Sequence, residues 1–288
     1  MNQWGRWISL ELGDMFSGVK IETSDKGSLR CAFSVERDEK PFPNNATIKV
    51  WNLNIGHRDV LSKAQSVPCR LTAGYKGNTG CIFFGALRSA STAREGPDLV
   101  TTLTAGDGEE GKDKKPISTA IVRKTWKRGT PIAAVLTQMA QALQVDLGTL
   151  PLLAPTATLP TGPVLPFALS VDGSAVEEFS AIMKSVGLTW SIQDGALQVR
   201  ASELPAGMVP LISPLTGLVG SVEKSVEKDK AGKPFTQVTG KCLLLPLIYP
   251  GWQIVLTSAD CAGLYLCTKV THAGDTHAGE WYTTFEAK

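Results

Sequence analysis

The sequence predicts an α+β protein, mainly β, in which two β-rich domains flank a small α/β insert. Three observations predict it. Short apolar runs are punctuated throughout by 28 glycines and 17 prolines, the pattern of many short strands joined by turns. Between Thr130 and Gly187 the apolar period lengthens from two residues to that of helices. The two β-rich stretches also close on the same residue pattern. At 288 residues, 43% hydrophobic and 19% charged, the chain is long enough for two or three domains with cores of their own.

In the first domain, residues 1–107, Leu29 to Glu36 and Ala46 to Leu53 are strand candidates; in the second, Ala46, Ile48 and Val50 alternate with Thr47, Lys49 and Trp51. Gly56 to Ala64 is compatible with one short helix, since Val60, Leu61 and Ala64 share a face. Pro68 to Tyr75, Cys81 to Ser89 and Asp98 to Ala105 form a meander, separated by Lys76-Gly77-Asn78 and Arg94-Glu95-Gly96-Pro97. Gly106 to Pro116 is a polar, glycine-rich break that lacks the Gly-Lys-Ser/Thr of a phosphate-binding loop.

The insert, residues 108–205, contains two helices. The first is predicted to be capped by Thr130, with Pro131 in the first helical position and an apolar stripe of Ile132, Val135, Leu136, Met139, Ala140 and Leu143. A connector with five prolines, Pro151 to Pro166, should be extended. The second helix starts at Ser174, which has capping-box spacing to Glu177, and ends at Gly187. Leu188 to Ile192 and Ala196 to Val199 then form a hairpin about Asp194-Gly195. In the last domain, residues 206–288, the strand candidates are Pro234 to Leu245, Gln253 to Leu256, Gly263 to Val270 and Glu280 to Ala287, with Ser225 to Lys233 expected as a charged loop.

The shared pattern is an internal repeat. Asp98-Leu-Val-Thr-Thr-Leu-Thr-Ala105 aligns with Glu280-Trp-Tyr-Thr-Thr-Phe-Glu-Ala287. Ile82-Phe83-Phe84 aligns at the same offset with Leu264-Tyr265-Leu266, and Arg70 to Ala73, after one residue of slippage, with Gln253 to Leu256. Two copies of one β-barrel or sandwich are expected on this basis.

Composition argues against several functions. The net charge of +2 provides no field that would draw the whole protein to nucleic acid or anionic lipid. The local cluster of Arg123, Lys124, Lys127 and Arg128 around Trp126 is better explained as the solvated edge of a strand. Cys31, Cys69, Cys81, Cys242, Cys261 and Cys267 form no Cys-x-x-Cys and sit in strand-like runs, as reduced, packed thiols do. The N-terminus lacks the apolar core of a signal peptide, and Leu243 to Ile248 is too short to span a bilayer. Of the three histidines, His57 lies in the short helix, while His272 and His277 flank Asp275. Those three residues are the one set with metal-ligand spacing, but they fall in a polar turn with no helix to hold them on one face. No catalytic, cofactor-binding or metal residue is therefore assigned, and the chain is expected to be a non-enzyme without cofactors. A carboxylate pair drawn from distant segments would escape such a reading.

The C-terminal third carries Ser213-Pro-Leu-Thr-Gly-Leu-Val-Gly220, Cys242-Leu-Leu-Leu-Pro246, Pro250-Gly251, Gly263-Leu-Tyr265, Val270-Thr-His272, Gly274-Asp275-Thr276 and Trp281-Tyr-Thr-Thr284. In this order they resemble the closing β domain of phage baseplate hub proteins of the Mu-like and late-control-D type. Lys49 to Leu53, Ala73-Gly-Tyr75 and Phe84-Gly85 resemble the opening domain of that family. The middle domain matches poorly. The resemblance implies two tail-tube-like barrels per subunit and a homotrimer, whose six barrels form a ring around a central channel. It further implies a symmetry adaptor in the virion, between the hexameric tail tube protein and a threefold spike or tail tip protein, with the tape measure protein as a further candidate partner. The channel is implied as a passage for DNA, with no sequence-specific nucleic-acid binding and no membrane. A contractile secretion device shares this architecture. A tail-associated cell-wall hydrolase is the rival from another class, and it would need a catalytic cluster.

Overall fold

A computed structural model describes residues 5–13, 18–24, 29–64, 66–107, 120–143, 145, 164–201, 209–228, 232–277 and 279–288. The chain divides into two compact units. One contains Met1–Glu39, Asn44–Gly106 and Pro205–Lys288; the other contains Lys40–Pro43 and Asp107–Leu204. Both β-rich stretches of the sequence thus lie in a single unit.

The strands of the first unit, in chain order, are β1 (Arg6–Leu12), β2 (Val19–Ser24), β3 (Cys31–Asp38), β4 (Asn45–Trp51), β5 (Pro68–Tyr75), β6 (Asn78–Glu95) and β7 (Asp98–Gly106). After the other unit come β12 (Leu211–Ile212), β13 (Leu218–Lys228), β14 (Pro234–Leu243), β15 (Gln253–Thr257), β16 (Ala262–Asp275) and β17 (Trp281–Ala287). They form one 13-stranded sheet in the order β13-β14-β17-β16-β3-β4-β7-β6-β5-β1-β2, with β15 on β16 and β12 on β15. The pairs are antiparallel except β12 with β15. The mainly β expectation holds. Two separately closed barrels do not appear among the described residues, because β3 pairs with β16 and carries the sheet from one stretch into the other.

Alternation explains the strands. In β3 the residues Cys31, Phe33, Val35 and Arg37 turn inward, and in β4 Ala46, Ile48 and Val50 do so. Such residues make two buried clusters, Ile8, Leu10, Ile48, Leu71, Phe83 and Leu103 in one and Val238, Ile254, Leu256, Val270 and Phe285 in another. Burying each large apolar side chain contributes about 1.5–3 kcal/mol. Helix α1 (Ile55–Lys63) is capped by Asn54, whose side chain accepts from the His57 backbone N–H at 2.8 Å.

The second unit pairs β8 (Ile121–Trp126) with β9 (Leu169–Ser174) and β10 (Leu188–Gln193) with β11 (Ala196–Ala201), alongside α2 (Ile132–Ala142) and α3 (Ala175–Ser185). The predicted stripe of the first helix supplies Val135, Leu136 and Met139 to its core, beside Phe179 and Met183 of α3 and Trp190 of β10. The hairpin turn is as expected, with Asp194 and Gly195 both at positive φ. The caps differ. Pro131 rather than Thr130 occupies the cap of α2, and the Thr130 hydroxyl instead donates to the Lys127 carbonyl. Ser174 caps α3 without a side-chain hydrogen bond, because it is still the last residue of β9, paired with Ile121. Of the proline-rich connector, residues 151–163 lie outside the described residues, as do 108–116 of the glycine-rich break.

Candidate functional site

The strand pairing of the first unit is itself a repeat. In the first copy β3, β4, β7 and β6 are neighbours and β6 also pairs with β5; in the second, β13, β14, β17, β16 and β15 stand in the same relations. Each copy has one long strand whose first half serves one neighbour and whose second half serves another. Each long strand shifts register at the handover, between Leu87 and Ser89 opposite Ala105 and Thr104, and between Cys267 and Lys269 opposite Ala287 and Glu286. An extra residue at the same place in both copies is a shared β-bulge.

The two copies meet at one joint. Strand β3 pairs with the second half of β16 from Lys269 opposite Asp38 to Asp275 opposite Ala32. The inward residues there, Val35, Arg37, Val270 and His272, are all 0–1% exposed. The Arg37 guanidinium lies 4.5 Å from the centroid of Tyr249, whose hydroxyl donates to the Cys81 carbonyl at 3.0 Å. Phe33 meets Trp281 edge to face at 5.4 Å. A Cβ on Gly274 would come within 2.6 Å of Phe33 and 2.7 Å of Trp281, so only glycine lets the two rings close over β16. At the rim, Arg30 donates to both carboxylate oxygens of Asp275, most closely at 2.7 Å, while lying 4.3 Å from the centroid of Trp51. Arg6 donates to the Asp275 carbonyl at 2.6 Å.

The residues with metal-ligand spacing are divided by this joint. His272 is buried, and its Nδ1 is hydrogen-bonded to the Thr283 hydroxyl at 2.9 Å, which also accepts from the Leu245 N–H at 2.9 Å. Burial, with the Arg37 charge second, pushes the His272 pKa down to about 3. Asp275 lies an odd number of residues away on the strand, hence on the opposite face, where it serves Arg30 and accepts from the His277 backbone N–H at 2.9 Å. His277 is exposed. The sequence places these residues in a polar turn; in the structure His272 and Asp275 belong to β16 instead. Among the described residues no cluster of three or more His, Cys, Asp or Glu side chains is placed to hold a metal. All six cysteines are free thiols, five of them buried, and burial pushes Cys31, Cys69 and Cys242 up to about 12. Of the basic cluster, Arg123 and Lys124 lie on β8, and Arg123 pairs with Asp172 across the strands at 2.8 Å. No helix among the described residues is long and apolar enough to cross a membrane.

What sequence reasoning missed is the pair of edges equivalent to this joint. Among the described residues the second half of β6, which corresponds to the second half of β16, pairs only with β7. Strand β13, which corresponds to β3, ends the sheet among the described residues and there pairs only with β14. Ser225 to Lys228, expected as loop, belong to β13; their charges suit a strand with one side open.

No protein-family profile and no curated protein sequence matches the chain. Solved structures do. The 43 kDa tail protein of prophage MuSo2 from Shewanella oneidensis superposes with a TM-score of 0.64 at 8% identity, over 98% of each chain. A tail protein from Neisseria meningitidis MC58 gives 0.58 at 10% identity, over 99% of this chain and 97% of that one. The fold is that of phage tail proteins. A component of the Escherichia coli type VI secretion system, described as structurally similar to bacteriophage T4 tail proteins gp27 and gp5, shares the tail-protein fold as well. It gives a TM-score of 0.59 at 9% identity, over 90% of this chain and 73% of that one.

Proposed function

We propose that this chain is a structural subunit of a phage tail, the baseplate hub, and not an enzyme. Three copies close a ring around a central channel, with residues 1–107 and 206–288 of each as two tail-tube-like units and 108–205 as an insert. Six related units around one axis suit a hexameric tail tube protein on one face. The differences between the two copies leave true threefold symmetry for a spike or tip protein on the other. The observation that carries this reading is the duplicated strand pairing, bulge included, fused through β3 and β16. A duplicated subunit is what a threefold-to-sixfold adaptor requires. Cryo-electron microscopy of the tail end is expected to show three copies around the axis below the last tube hexamer. Six copies there, or none in the particle, would sink the proposal.

A second reading is the hub of a contractile secretion device, which the likeness to the type VI secretion component favours. A gene neighbourhood holding tail-tube and tape-measure genes separates the two.

A further inference from the structure

We propose that the insert carries a membrane-contact patch, in which Lys124, Lys127, Arg128 and the first turn of α2 hold the phosphates of an anionic bilayer surface while Phe167 enters its headgroup layer. The inference stands apart from the hub reading, which implies no membrane, because it concerns one unit of the single chain. From Ile117 to Val145 the sequence holds four cations, Arg123, Lys124, Lys127 and Arg128, and no Asp or Glu. A solvated strand edge accounts for Arg123, which Asp172 neutralises across the strands at 2.8 Å. The other three are exposed and form no ion pair among the described residues. Lys124 lies beside Trp126, with its Nζ 6.0 Å from the ring centroid, and Trp126 is fixed to α2 by its Nε1, which donates to Gln138 at 2.9 Å.

The backbone brings exposed apolar side chains to the same place. Trp126 is paired with Leu169 at the end of β8, and the Gly129 N–H donates to the Leu165 carbonyl at 2.9 Å. The Leu165 N–H in turn donates to the Thr130 carbonyl at 2.9 Å. Lys127 and Arg128 therefore turn beside residues 166–168, about one strand spacing or ~5 Å away. Phe167, in the middle of that segment, is 76% exposed, and Val164, bridged to Pro131, is 44% exposed. Helix α2 begins at this point. Its cap, Pro131, makes no side-chain hydrogen bond and its first turn holds no acidic residue, so the leading N–H groups add to the positive potential. The cations call for an anionic partner and the phenyl and isopropyl groups for an apolar layer; a bilayer of anionic lipid supplies both. DNA supplies phosphates but no such layer, and backbone-tracking surfaces engage more phosphates than three free cations can, about 6–10. With a net charge of only +2 on the whole chain, the attraction is local to this patch.

The test is co-sedimentation of the purified chain with vesicles of phosphatidylcholine alone and of equal parts phosphatidylcholine and phosphatidylglycerol. The mixed vesicles should carry the chain down, the neutral ones should not, and binding should weaken as salt is raised. Lys127→Glu combined with Arg128→Glu should weaken binding by about ten-fold or more. Phe167→Ser should weaken it about ten-fold with the salt dependence unchanged. Arg123→Ala, which removes the cation already paired with Asp172, should change it by less than about two-fold. Circular dichroism should be the same for all three variants, since each position is exposed. The inference is overturned if the chain binds neither vesicle, or both equally, if Arg123→Ala costs as much as the double substitution, or if Phe167→Ser costs nothing. Release from the mixed vesicles by a DNA duplex or by inorganic phosphate, at matched phosphate concentration, would also overturn it. None of these outcomes bears on the number of copies in the particle, which decides the hub reading.

Discussion

The joint between β3 and β16 and the open edges of β6 and β13 occupy equivalent places in the repeat, yet their side chains differ in kind. The joint encloses a neutral histidine, an arginine stacked on tyrosine and an edge-to-face aromatic pair. The edges carry serine, alanine and threonine on one side and, on the other, two Glu-Lys pairs separated by Ser225 and Val226. A joint made once, within a chain, can bury large and polar groups because its partner is always at hand. An edge that stays in water until another molecule arrives must discourage wrong pairing, and small or charged residues do that. The same backbone geometry thus serves two physical purposes.

That contrast can be broken or sharpened by substitution. The largest effect is expected at the joint's aromatic centre: Trp281→Ala, at 2% exposure, should lower unfolding free energy by about 3–5 kcal/mol in urea titration. Next is the pH response of His272. Its folded pKa lies near 3, below the ordinary 6.5, so the unfolded chain binds the proton first as pH falls. Its contribution is complete above 6.5 and declines toward 3, by about 1.4 kcal/mol per pH unit. The wild type minus His272→Gln stability difference should fall between pH 6.5 and 4.5; a flat difference would mean the imidazole is not held neutral. Asp275→Asn removes the charge that holds Arg30 and should cost about 1–2 kcal/mol. Lys224→Ala, on the open edge, should change the stability of the single chain by less than about 0.5 kcal/mol. An effect of Lys224→Ala as large as that of Asp275→Asn would erase the distinction between joint and edge.

Much of the fold was legible because alternation and helical stripes are local. Pro68 to Tyr75 coincides with β5, and the repeat identified β5, β6 and β7 with β15, β16 and β17. Its register was two residues off in the long strands. Leu87 and Ala105 are 18 residues apart but Cys267 and Ala287 are 20, since the second copy's hairpin is two residues longer, and a constant offset cannot follow that. Strands β1 and β2 went unnamed although both alternate, Ile8, Leu10 and Leu12 against Ser9 and Glu11, and Val19 and Ile21 against Lys20 and Glu22. The candidate site was the least legible. Pairing β3 with β16 leaves no local mark, and Ser225 to Lys228 has the composition of a loop although the backbone is extended and paired.

The distance along the chain between the two sides of the joint bears on how the protein folds. Asp38 pairs with Lys269, 231 positions further along the chain, whereas β3 and β4 pair across a short turn. Contacts of such long range form late, and they slow folding more than they weaken the product. Until β16 has been synthesised, β3 has one side unpaired, with Val35 and Phe33 turned toward a core that lacks Val270 and Trp281. A growing chain therefore passes through a stage in which its first copy exposes an adhesive strand without the lysines of β13. Mispairing between nascent chains is most dangerous in that interval, and it ends when the last strands are threaded into the sheet.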